Sequence, residues 1–402
     1  MDRPSAAVRY PVRAILGLVL LLILTAPSLA DDTKIDFWAT QKKGANMMND
    51  AQTEAQFAEA AARGIRWIRL APDKWKAHGK DFLIGDADHY TGLDQADLAT
   101  LKAALAAADR QHVKVVLTML SLPGDRWRQL NGGKDDFRLW RDPQYRDQAA
   151  AFWRDLAAAL KDEPAIVGYN IINEPHPEQI GGFEESGSRD FVRWYRGAEN
   201  TAADLNAFYA KVVAAIRTVD ADTPIMLDAG LYAAPDAFVY LTPLDDAKVL
   251  YAFHMYEPYA FTEPKNRGRY RYPGQVPFAN VTRLWDAQRI AWYLDNVTAW
   301  QRRRNVPSNR IVGSEFGCYR QNAGCAAYLG DVIRALDALH WHWAFYAFRE
   351  DGWDGMDYEV GTGKLPWKYW QDVQAGKHPQ PPREDDPKKN PLWGAIAKGL
   401  AE

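Results

Sequence analysis

The chain has 402 residues, a net charge of −3, 47% hydrophobic residues and two cysteines, together with 16 Trp, 19 Tyr and 15 Phe. This composition can bury a large core, which excludes a disordered chain. Near-neutral charge without a Lys/Arg-rich block argues against a protein that binds nucleic acid by neutralising phosphates, and two cysteines cannot form a disulfide scaffold or a four-cysteine zinc site.

The first 30 residues have the pattern of a secretory signal peptide. Three arginines precede an apolar stretch at 14–24, and Ser28 and Ala30 place small residues where a signal peptidase cleaves. The apolar stretch is short for a membrane span, which needs about 20 residues, and a retained N-terminal anchor is the alternative. We expect a mature chain that is secreted or periplasmic and has no stable membrane span.

Short apolar runs alternate with helical patterns along the mature chain. The first strand region begins at Phe37-Trp38, and further strands are predicted at 65–70, 113–120, 166–172, 224–227, 249–253, 311–314 and 343–348. Helices are predicted at 57–63, behind a capping box at 53–56, and at 93–110, 142–161, 204–219, 285–304, 326–339 and 392–400.

Eight strands that alternate with helices indicate parallel strands with covering helices. They predict an α/β fold, a single (β/α)₈ TIM barrel with extended loops across residues 31–402. An open doubly wound sheet is the alternative, but no glycine-rich phosphate motif follows a strand. The Pro- and charge-rich residues 374–391 are interpreted as an insertion before the last helix.

Polar side chains follow several of these strands, where the catalytic groups of such a barrel lie. They are Arg69 after the second strand, Asn173 and Glu174 after the fourth, His254 and Tyr256 after the sixth, and Glu315 after the seventh. Carboxylates after the fourth and seventh strands face each other across the barrel mouth. Opposed carboxyl groups are what glycosidic bond cleavage requires, so Glu174 and Glu315 are the predicted catalytic residues.

The neighbours of the two glutamates have predicted supporting roles. Arg69 can keep one carboxylate charged, Asn173 can hold a sugar hydroxyl, and His254 and Tyr256 can orient the glutamates. The alternatives are that His254 is an ordinary core histidine and that Arg69 is a structural ion-pair partner.

Four motifs in this order resemble glycoside hydrolase family 5: IRWIRL, NIINEP, HMY and VGSEFG. The resemblance covers about residues 34–400. It implies that Glu174 is the acid/base, that Glu315 is the nucleophile, and that the anomeric configuration is retained. The chain departs from the family where a His often precedes Pro123-Gly124, since residues 120–122 are Leu-Ser-Leu, and where the last strand usually ends in Trp. Tyr346 aligns with that Trp, and either Trp353 replaces it from the loop or Trp343 is its equivalent.

The tryptophans divide by position. Trp67, Trp153 and Trp300 lie within predicted strands or helices and are expected in the core. Four others follow strands in loops and are expected to line a groove for flat sugar rings, namely Trp75, Trp127, Trp353 and Trp367. The predicted substrate-binding residues are Arg69, Asn173, His254, Tyr256, Tyr346, Trp353 and Trp127.

Two features of the sequence remain open. Cys318 and Cys325 either close a disulfide loop or are free thiols. A group of acidic residues after the last strand forms a hydrated loop, contacts sugar hydroxyls or binds calcium, namely Asp351, Asp354, Asp357 and Glu359.

The expected protein is a retaining glycoside hydrolase of the cellulase type. It would be a monomer without cofactor or metal that cleaves β-glycosidic bonds in a β-glucan or a related polysaccharide or oligosaccharide. The alternatives are a non-catalytic carbohydrate-binding barrel, a glycosidase for mannan or glycolipid, and a metal-dependent hydrolase. The eight His show no HExxH spacing, which argues against a catalytic zinc.

Overall fold

Eight parallel strands close into a barrel in the computed structural model of the chain. The structure describes Met1 and residues 33–184, 188–350, 352–377 and 379–402. The barrel strands are β1 (Lys43–Met47), β2 (Trp67–Leu70), β3 (Lys114–Thr118), β4 (Ile166–Asn170), β5 (Ile225–Asp228), β6 (Val249–Met255), β7 (Ile311–Phe316) and β8 (His342–Phe345). Neighbours in sequence pair side by side and β8 pairs with β1, which confirms the predicted (β/α)₈ barrel.

Helices follow the strands and cover the barrel. They are α1 (Glu54–Ala62), α2 (Gln95–Arg110), α3 (Pro143–Leu160), α4 (Arg189–Ala198), α5 (Leu205–Arg217), α6 (Ala287–Arg304), α7 (Cys325–Ala338), α8 (Trp367–Gln374) and α9 (Pro391–Ala401). The 3₁₀ helices are Lys34–Ala39, Arg128–Leu130, Pro177–Gly181, Pro235–Tyr240, Pro264–Asn266, Ser308–Arg310 and Tyr358–Val360, and two short helical turns are Gly230–Ala233 and Tyr259–Thr262.

The helix starts follow the capping residues in the sequence. Thr53 and Gln56 form the predicted capping box of α1. The Asp142 side chain accepts the Gln144 N–H at the start of α3, where proline occupies the first helical position. Side-chain oxygens satisfy N–H groups that have no partner within the helix, and proline there loses no hydrogen bond.

The prediction of a strand at Phe37-Trp38 is wrong. The segment is the 3₁₀ helix Lys34–Ala39, and the first strand begins at Lys43. The fully buried Trp38 indole packs on Trp67 and His342, with ring centroids 5.2 and 4.9 Å apart, and its N–H donates to Val167 O at 2.9 Å. These contacts close the N-terminal end of the barrel, opposite the mouth. A short apolar run does not distinguish a strand from such a plug.

The helix predicted at 285–304 begins two residues later, at Ala287. Trp285 ends an antiparallel hairpin of Gly274–Phe278 and Val281–Trp285, and α6 starts after Asp286, whose side chain accepts the Arg289 N–H. The hairpin, α4 and α8 were not predicted. The hairpin forms a two-stranded sheet separate from the barrel, and its strands lack the continuous apolar pattern of a buried strand.

Arg320 holds the long segment between β8 and α9. The fully buried guanidinium pairs with Asp354 and donates to Gly361 O at 2.6 Å and Gly363 O at 2.5 Å. A disulfide between Cys318 and Cys325 flanks it, which resolves the question of the two cysteines. The segment that carries Trp353 is therefore anchored to the loop after β7.

Arginines also pair with the acidic residues expected to form a hydrated loop, to contact sugar or to bind calcium. Asp357 pairs with Arg383, and Glu359 pairs with Arg63 and Arg349. Each carboxylate is matched by a guanidinium, which favours a structural role for this group. Asp351 lies outside the described residues.

Replacing Arg320 with alanine is expected to lower the free energy of unfolding by about 3–5 kcal/mol, because it removes a fully buried cation and leaves the partly buried Asp354 carboxylate and two backbone carbonyls without their donor. Urea denaturation measures the change. The control is Arg193→Ala, since Arg193 is highly exposed and its ion pair among the described residues is with its helical neighbour Asp190. Equal stability of the two variants would contradict the anchoring role.

Residues Thr33–Glu402 form one compact unit. Among the described residues, every helix is too short or too polar to cross a bilayer. Apart from Met1, the predicted signal peptide at 1–30 lies outside the described residues.

Candidate active site

A cleft of about 310 Å³ opens at the C-terminal mouth of the barrel. The predicted site residues that line it are Asn173, Glu174, Tyr256, Glu315, Tyr346, Trp127 and Trp353. Arg69 and His254 were also predicted to bind substrate, but both are buried below the cleft, where they contact the glutamates. Their role in binding substrate stays a prediction, and the structure places both side chains against the glutamates.

Glu315, in β7, accepts a hydrogen bond at each carboxylate oxygen. Arg69 Nη1 donates to Oε1 at 2.6 Å, and the Tyr256 hydroxyl donates to Oε2 at 2.7 Å. A guanidinium can donate hydrogen bonds but cannot accept one from a protonated carboxyl group, so its contact stabilises the ionised carboxylate. The fixed side chain is 5% exposed at the base of the cleft.

Glu174 lies four residues beyond β4 and its carboxylate is more open. Its backbone is left-handed, with φ of 50°, and its N–H donates to Asp228 Oδ2 at 3.3 Å. Its Oε1 lies 2.8 Å from His254 Nδ1, and 31% of the side chain is exposed. The side chain therefore reaches into the cleft with one oxygen against an imidazole.

An irregularity in β6 brings His254 between the glutamates. The pairing with β7 shifts register between Phe253 and His254, so that His254 lies opposite Glu315. Bulges of this kind re-aim a side chain near active sites. One oxygen of each glutamate and a ring nitrogen of His254 all lie within 4.8 Å of one another.

Arg69 connects the two sides of the site. In addition to Glu315, it donates to Asn173 Oδ1 at 2.8 Å and to Asn170 Oδ1 at 2.8 Å. The Arg69 guanidinium is completely buried. Its hydrogen bonds to carboxylate and amide oxygens offset the free energy lost when the cation leaves water. It fixes Asn173 and Glu315 in one arrangement.

Three buried polar residues of the site were missed from the sequence: Asn46, Asn170 and Asp228. Asn46 and Asn170 accept from Arg69, and Asp228 accepts from Asn170 Nδ2 at 3.0 Å. Asp228 Oδ2 lies 3.7 Å from His254 Nε2. The available signal for Asp228 was its place at the end of β5, because the ends of other predicted strands supplied Arg69, His254 and Glu315.

The three titrating groups of the cleft shift one another. Burial raises the pKa of Glu315, and the charge of Glu174 adds to this while His254 and Arg69 oppose it. Burial also acts upward on Glu174, but contact with His254 outweighs it, so the pKa of Glu174 is lowered. Burial lowers the pKa of His254, yet the carboxylates of Glu315, Glu174 and Asp228 more than reverse this, and the net pKa is raised.

A proton is consequently held on the Glu174–His254 contact. Both oxygens of Glu315 already accept hydrogen bonds, whereas the imidazole binds its proton more tightly than usual. Although burial favours the neutral form of Glu315, the Arg69 and Tyr256 donors make its ionised form the better fit. The arrangement offers one charged carboxylate and one carboxylate next to a proton.

Glu174, His254 and Glu315 have the residue types and spacing of a metal site. Both Glu315 oxygens are already engaged by donors, and the Arg69 cation lies 2.6 Å from one of them. The positive charge of Arg69 opposes a second cation at this place, so the residues fit acid–base chemistry better than metal binding.

The aromatic walls agree in part with the prediction. Trp127 and Trp353 line the cleft, and so does Tyr346 at the position that usually carries Trp. Trp343 is buried and donates to Asp337 at 2.9 Å, which excludes it as the equivalent. Leu120, from the segment that lacks the family's usual His, also lines the cleft.

Two of the four loop tryptophans were placed wrongly. Trp75 is 5% exposed and packs on Phe82, so it belongs to the core. Trp367 is 69% exposed on α8 and does not line the cleft. The three tryptophans expected in the core, Trp67, Trp153 and Trp300, are buried there.

Comparison with known proteins gives a family match over most of the chain. Residues 30–352 match the model of the cellulase family, glycosyl hydrolase family 5. The chain belongs to this family. The resemblance drawn from the four motifs is thereby confirmed.

Individual relatives share a quarter or less of their aligned residues with this chain. Endoglucanase C of Acetivibrio thermocellus is 25% identical over 234 residues, which are 56% of this chain and 58% of that protein, so the match spans little more than half of the relative's length. The solved endoglucanase Cel5A of Thermotoga maritima superposes with a TM-score of 0.62 at 14% identity, covering 90% of this chain and 99% of that one. Cel5A was also solved with a mannotriose substrate, at a TM-score of 0.60, 15% identity and coverage of 90% and 99%.

Proposed function

We propose that the protein is a retaining glycoside hydrolase that cleaves β-glycosidic bonds in a β-glucan, with Glu315 as nucleophile and Glu174 as acid/base. The observation that carries the proposal is the approach of the two glutamates to within 4.8 Å, each with different partners. Retaining enzymes hold their carboxyl groups about 5 Å apart, whereas inverting enzymes leave a wider gap for a water molecule.

In the first step, an ionised oxygen of Glu315 attacks the anomeric carbon of the sugar. The bond from this carbon to the glycosidic oxygen breaks, and the departing oxygen takes a proton from Glu174. The product is a glycosyl ester of Glu315. Arg69 and Tyr256 hold the attacking carboxylate in place, so little reorganisation is needed when the bond forms.

In the second step, Glu174 accepts a proton from water, and the water oxygen attacks the same anomeric carbon. The ester bond breaks, Glu315 is released as a carboxylate, and two inversions leave the configuration unchanged. The His254 imidazole, 2.8 Å from Glu174, is the store from which the acid receives its proton. Asn173 presents its amide to a sugar hydroxyl, because its oxygen already accepts from Arg69.

Asp228 supports this proton store and gives a pH prediction. The groups that face His254 are Glu174, Glu315, Asp228 and Tyr256, with Arg69 beneath them. The Asp228 charge raises the pKa of His254. In the Asp228→Asn variant the imidazole should lose its proton at lower pH, and the alkaline limb of kcat/KM should move down by about one pH unit.

The control for Asp228 is Asp220→Asn, a buried aspartate before β5 at the opposite end of the barrel. It should leave the alkaline limb in place. If Asp228→Asn lowers activity equally at every pH, Asp228 has a structural role only and the proton-store account is wrong.

Substrate choice rests on the relatives. Those reported above are endoglucanases, and one structure carries mannotriose, so β-glucan is the first candidate and mannan the second. A reducing-sugar assay with carboxymethylcellulose, cello-oligosaccharides and manno-oligosaccharides separates them. Turnover of the glucans supports the proposal. Binding to these polymers without release of reducing ends would instead favour a non-catalytic carbohydrate-binding barrel.

We also propose that the protein is exported. The pattern at 1–30 and the Cys318–Cys325 disulfide support this, since disulfides persist in oxidising compartments. N-terminal sequencing of protein recovered from the periplasm or medium tests it. A chain found only in the cytoplasm with its leader intact would contradict it.

A further inference from the structure

Helix α8 buries none of its side chains, although it carries large aromatic residues. Trp367, at its start, is 69% exposed, more than any other tryptophan among the described residues, and it does not line the catalytic cleft. Packing against the barrel therefore does not explain why an indole lies here. Exposed apolar side chains mark an interaction site when they belong to a patch, whereas scattered single ones do not.

The neighbours of Trp367 on its side of the helix form such a patch. Residues three, four and seven positions apart share one face of an α-helix, which places Trp370, Gln371 and Gln374 beside Trp367. Both glutamines are exposed, and Trp370 is half-buried. We call these four residues the Trp–Gln face. It offers two flat indoles and two amides, and it has no charge.

The charged residues of α8 lie on another side of the helix. Lys368 pairs with Asp372 one turn later, and Lys377, just beyond the helix, pairs with the same carboxylate at 2.9 Å. The two charged side chains of the helix thus bind each other. The Trp–Gln face is left to uncharged groups.

The segment that carries α8 is held on both sides of the helix. Before it, the buried Arg320 guanidinium donates to Gly361 O and Gly363 O. After it, Arg383 pairs with the buried Asp357 carboxylate at 3.0 Å. A surface that is fixed before binding loses less conformational entropy when a ligand arrives.

The size and shape of the Trp–Gln face favour a polymer as its ligand. A stable protein interface uses about 20–30 residues on each side, whereas this face has four. A small molecule is usually held in a concave pocket that covers most of its surface, whereas this face lies along an exposed helix. A long polymer can bind such a surface because contacts at several places on one chain add together.

We propose that the Trp–Gln face binds a neutral β-glucan chain outside the catalytic cleft. The indoles would stack on the apolar C–H faces of the sugar rings, and the amides of Gln371 and Gln374 can both donate to and accept from sugar hydroxyls. An uncharged face matches a polymer without ionic groups. The choice of β-glucan as the polymer rests on the proposed function. A polymer held at this face is present at a raised effective concentration at the cleft of the same molecule.

Adsorption to insoluble swollen cellulose tests this contact. The full chain with Glu315→Ala is used, so that the polymer is not degraded during the measurement. Adding Trp367→Ala should lower the association constant about fivefold, the effect of one lost stacking contact. Trp367→Tyr keeps a flat ring and should restore most of the adsorption. In protein with Glu315 intact, Trp367→Ala should not change kcat/KM for cellotetraose, because this short substrate occupies only the cleft.

The matched control is Trp292→Ala, since Trp292 is 49% exposed on α6 and the Arg289 guanidinium lies over its ring at 4.7 Å. It should leave the adsorption unchanged. Equal adsorption with and without Trp367→Ala would overturn the binding face, and so would a dimer in sedimentation that dissociates in this variant, because the face would then join two copies of the chain. Turnover of cellotetraose in either case would leave the proposed function standing. Adsorption that depends on Trp367 without any turnover by the unaltered protein would support the binding face and overturn the proposed function.

Discussion

Replacing Glu315 with alanine is expected to reduce turnover at least about a thousandfold, because no covalent intermediate can form without the nucleophile. A reducing-sugar assay on cello-oligosaccharides measures the loss. Azide can occupy the space of the missing carboxylate and attack β-cellobiosyl fluoride, releasing fluoride and forming the α-glycosyl azide. Recovery of activity with this inverted product identifies the missing group as the nucleophile.

The control for Glu315 is Glu359→Gln, another buried glutamate paired with arginines, at a place that does not line the cleft. It should lower stability and retain most of the turnover per folded molecule. If Glu315→Ala keeps activity near that of the unaltered protein, or azide yields only the β-azide, Glu315 is not the nucleophile.

Glu174→Ala is expected to have the second largest effect, and the effect should depend on the leaving group. Loss of general acid catalysis costs about 10²–10⁴-fold with a sugar leaving group. With β-cellobiosyl fluoride the first step needs little protonation, so the ester on Glu315 should form and then accumulate. Azide should speed its breakdown and give the β-glycosyl azide, because two displacements retain configuration.

The pH profile gives a second measurement for this residue. The fall of kcat/KM at alkaline pH reflects loss of the proton from the Glu174–His254 contact. This fall should therefore disappear when Glu174→Ala reacts with azide. Glu263→Ala is the control, since Glu263 also lines the cleft but does not touch His254 in the contacts described. Equal losses with oligosaccharide and fluoride, without azide rescue, would contradict the acid/base role.

The barrel was predictable because buried parallel strands leave continuous apolar runs. Seven of the eight predicted strand regions overlap barrel strands, and the exception, Phe37-Trp38, is a plug at the end of the barrel. A short apolar run that contains a buried Trp looks the same in the sequence whether the run forms a strand or a short helix. Hairpin strands outside the barrel have no such run, and so Gly274–Phe278 was missed.

The centre of the site was predictable because strand ends converge at the barrel mouth. That rule brought together Glu174, His254 and Glu315, and the structure adds their separate partners. Asp228 could have been included, because it follows the predicted strand 224–227 directly. Applying the rule to every strand would have found it.

Loop contacts were not predictable in the same way. Tyr232 stacks on His176 only because three residues adopt left-handed geometry around Glu178, and residue spacing does not reveal backbone of that kind. Trp75 and Trp127 both follow strands, yet one packs inward and the other lines the cleft. The side to which a loop turns depends on contacts with other loops.

The most direct test is to trap the intermediate. A β-cellobiosyl fluoride with fluorine in place of the hydroxyl beside the anomeric carbon should form the ester with Glu315 but break it down slowly, because fluorine destabilises the positive charge that develops at that carbon. Proteolysis and mass spectrometry should then find the disaccharide on the peptide that contains Glu315, and the first product released from an unmodified substrate should be the β-anomer. A label on any other residue, or an α-anomer formed first, would contradict the account.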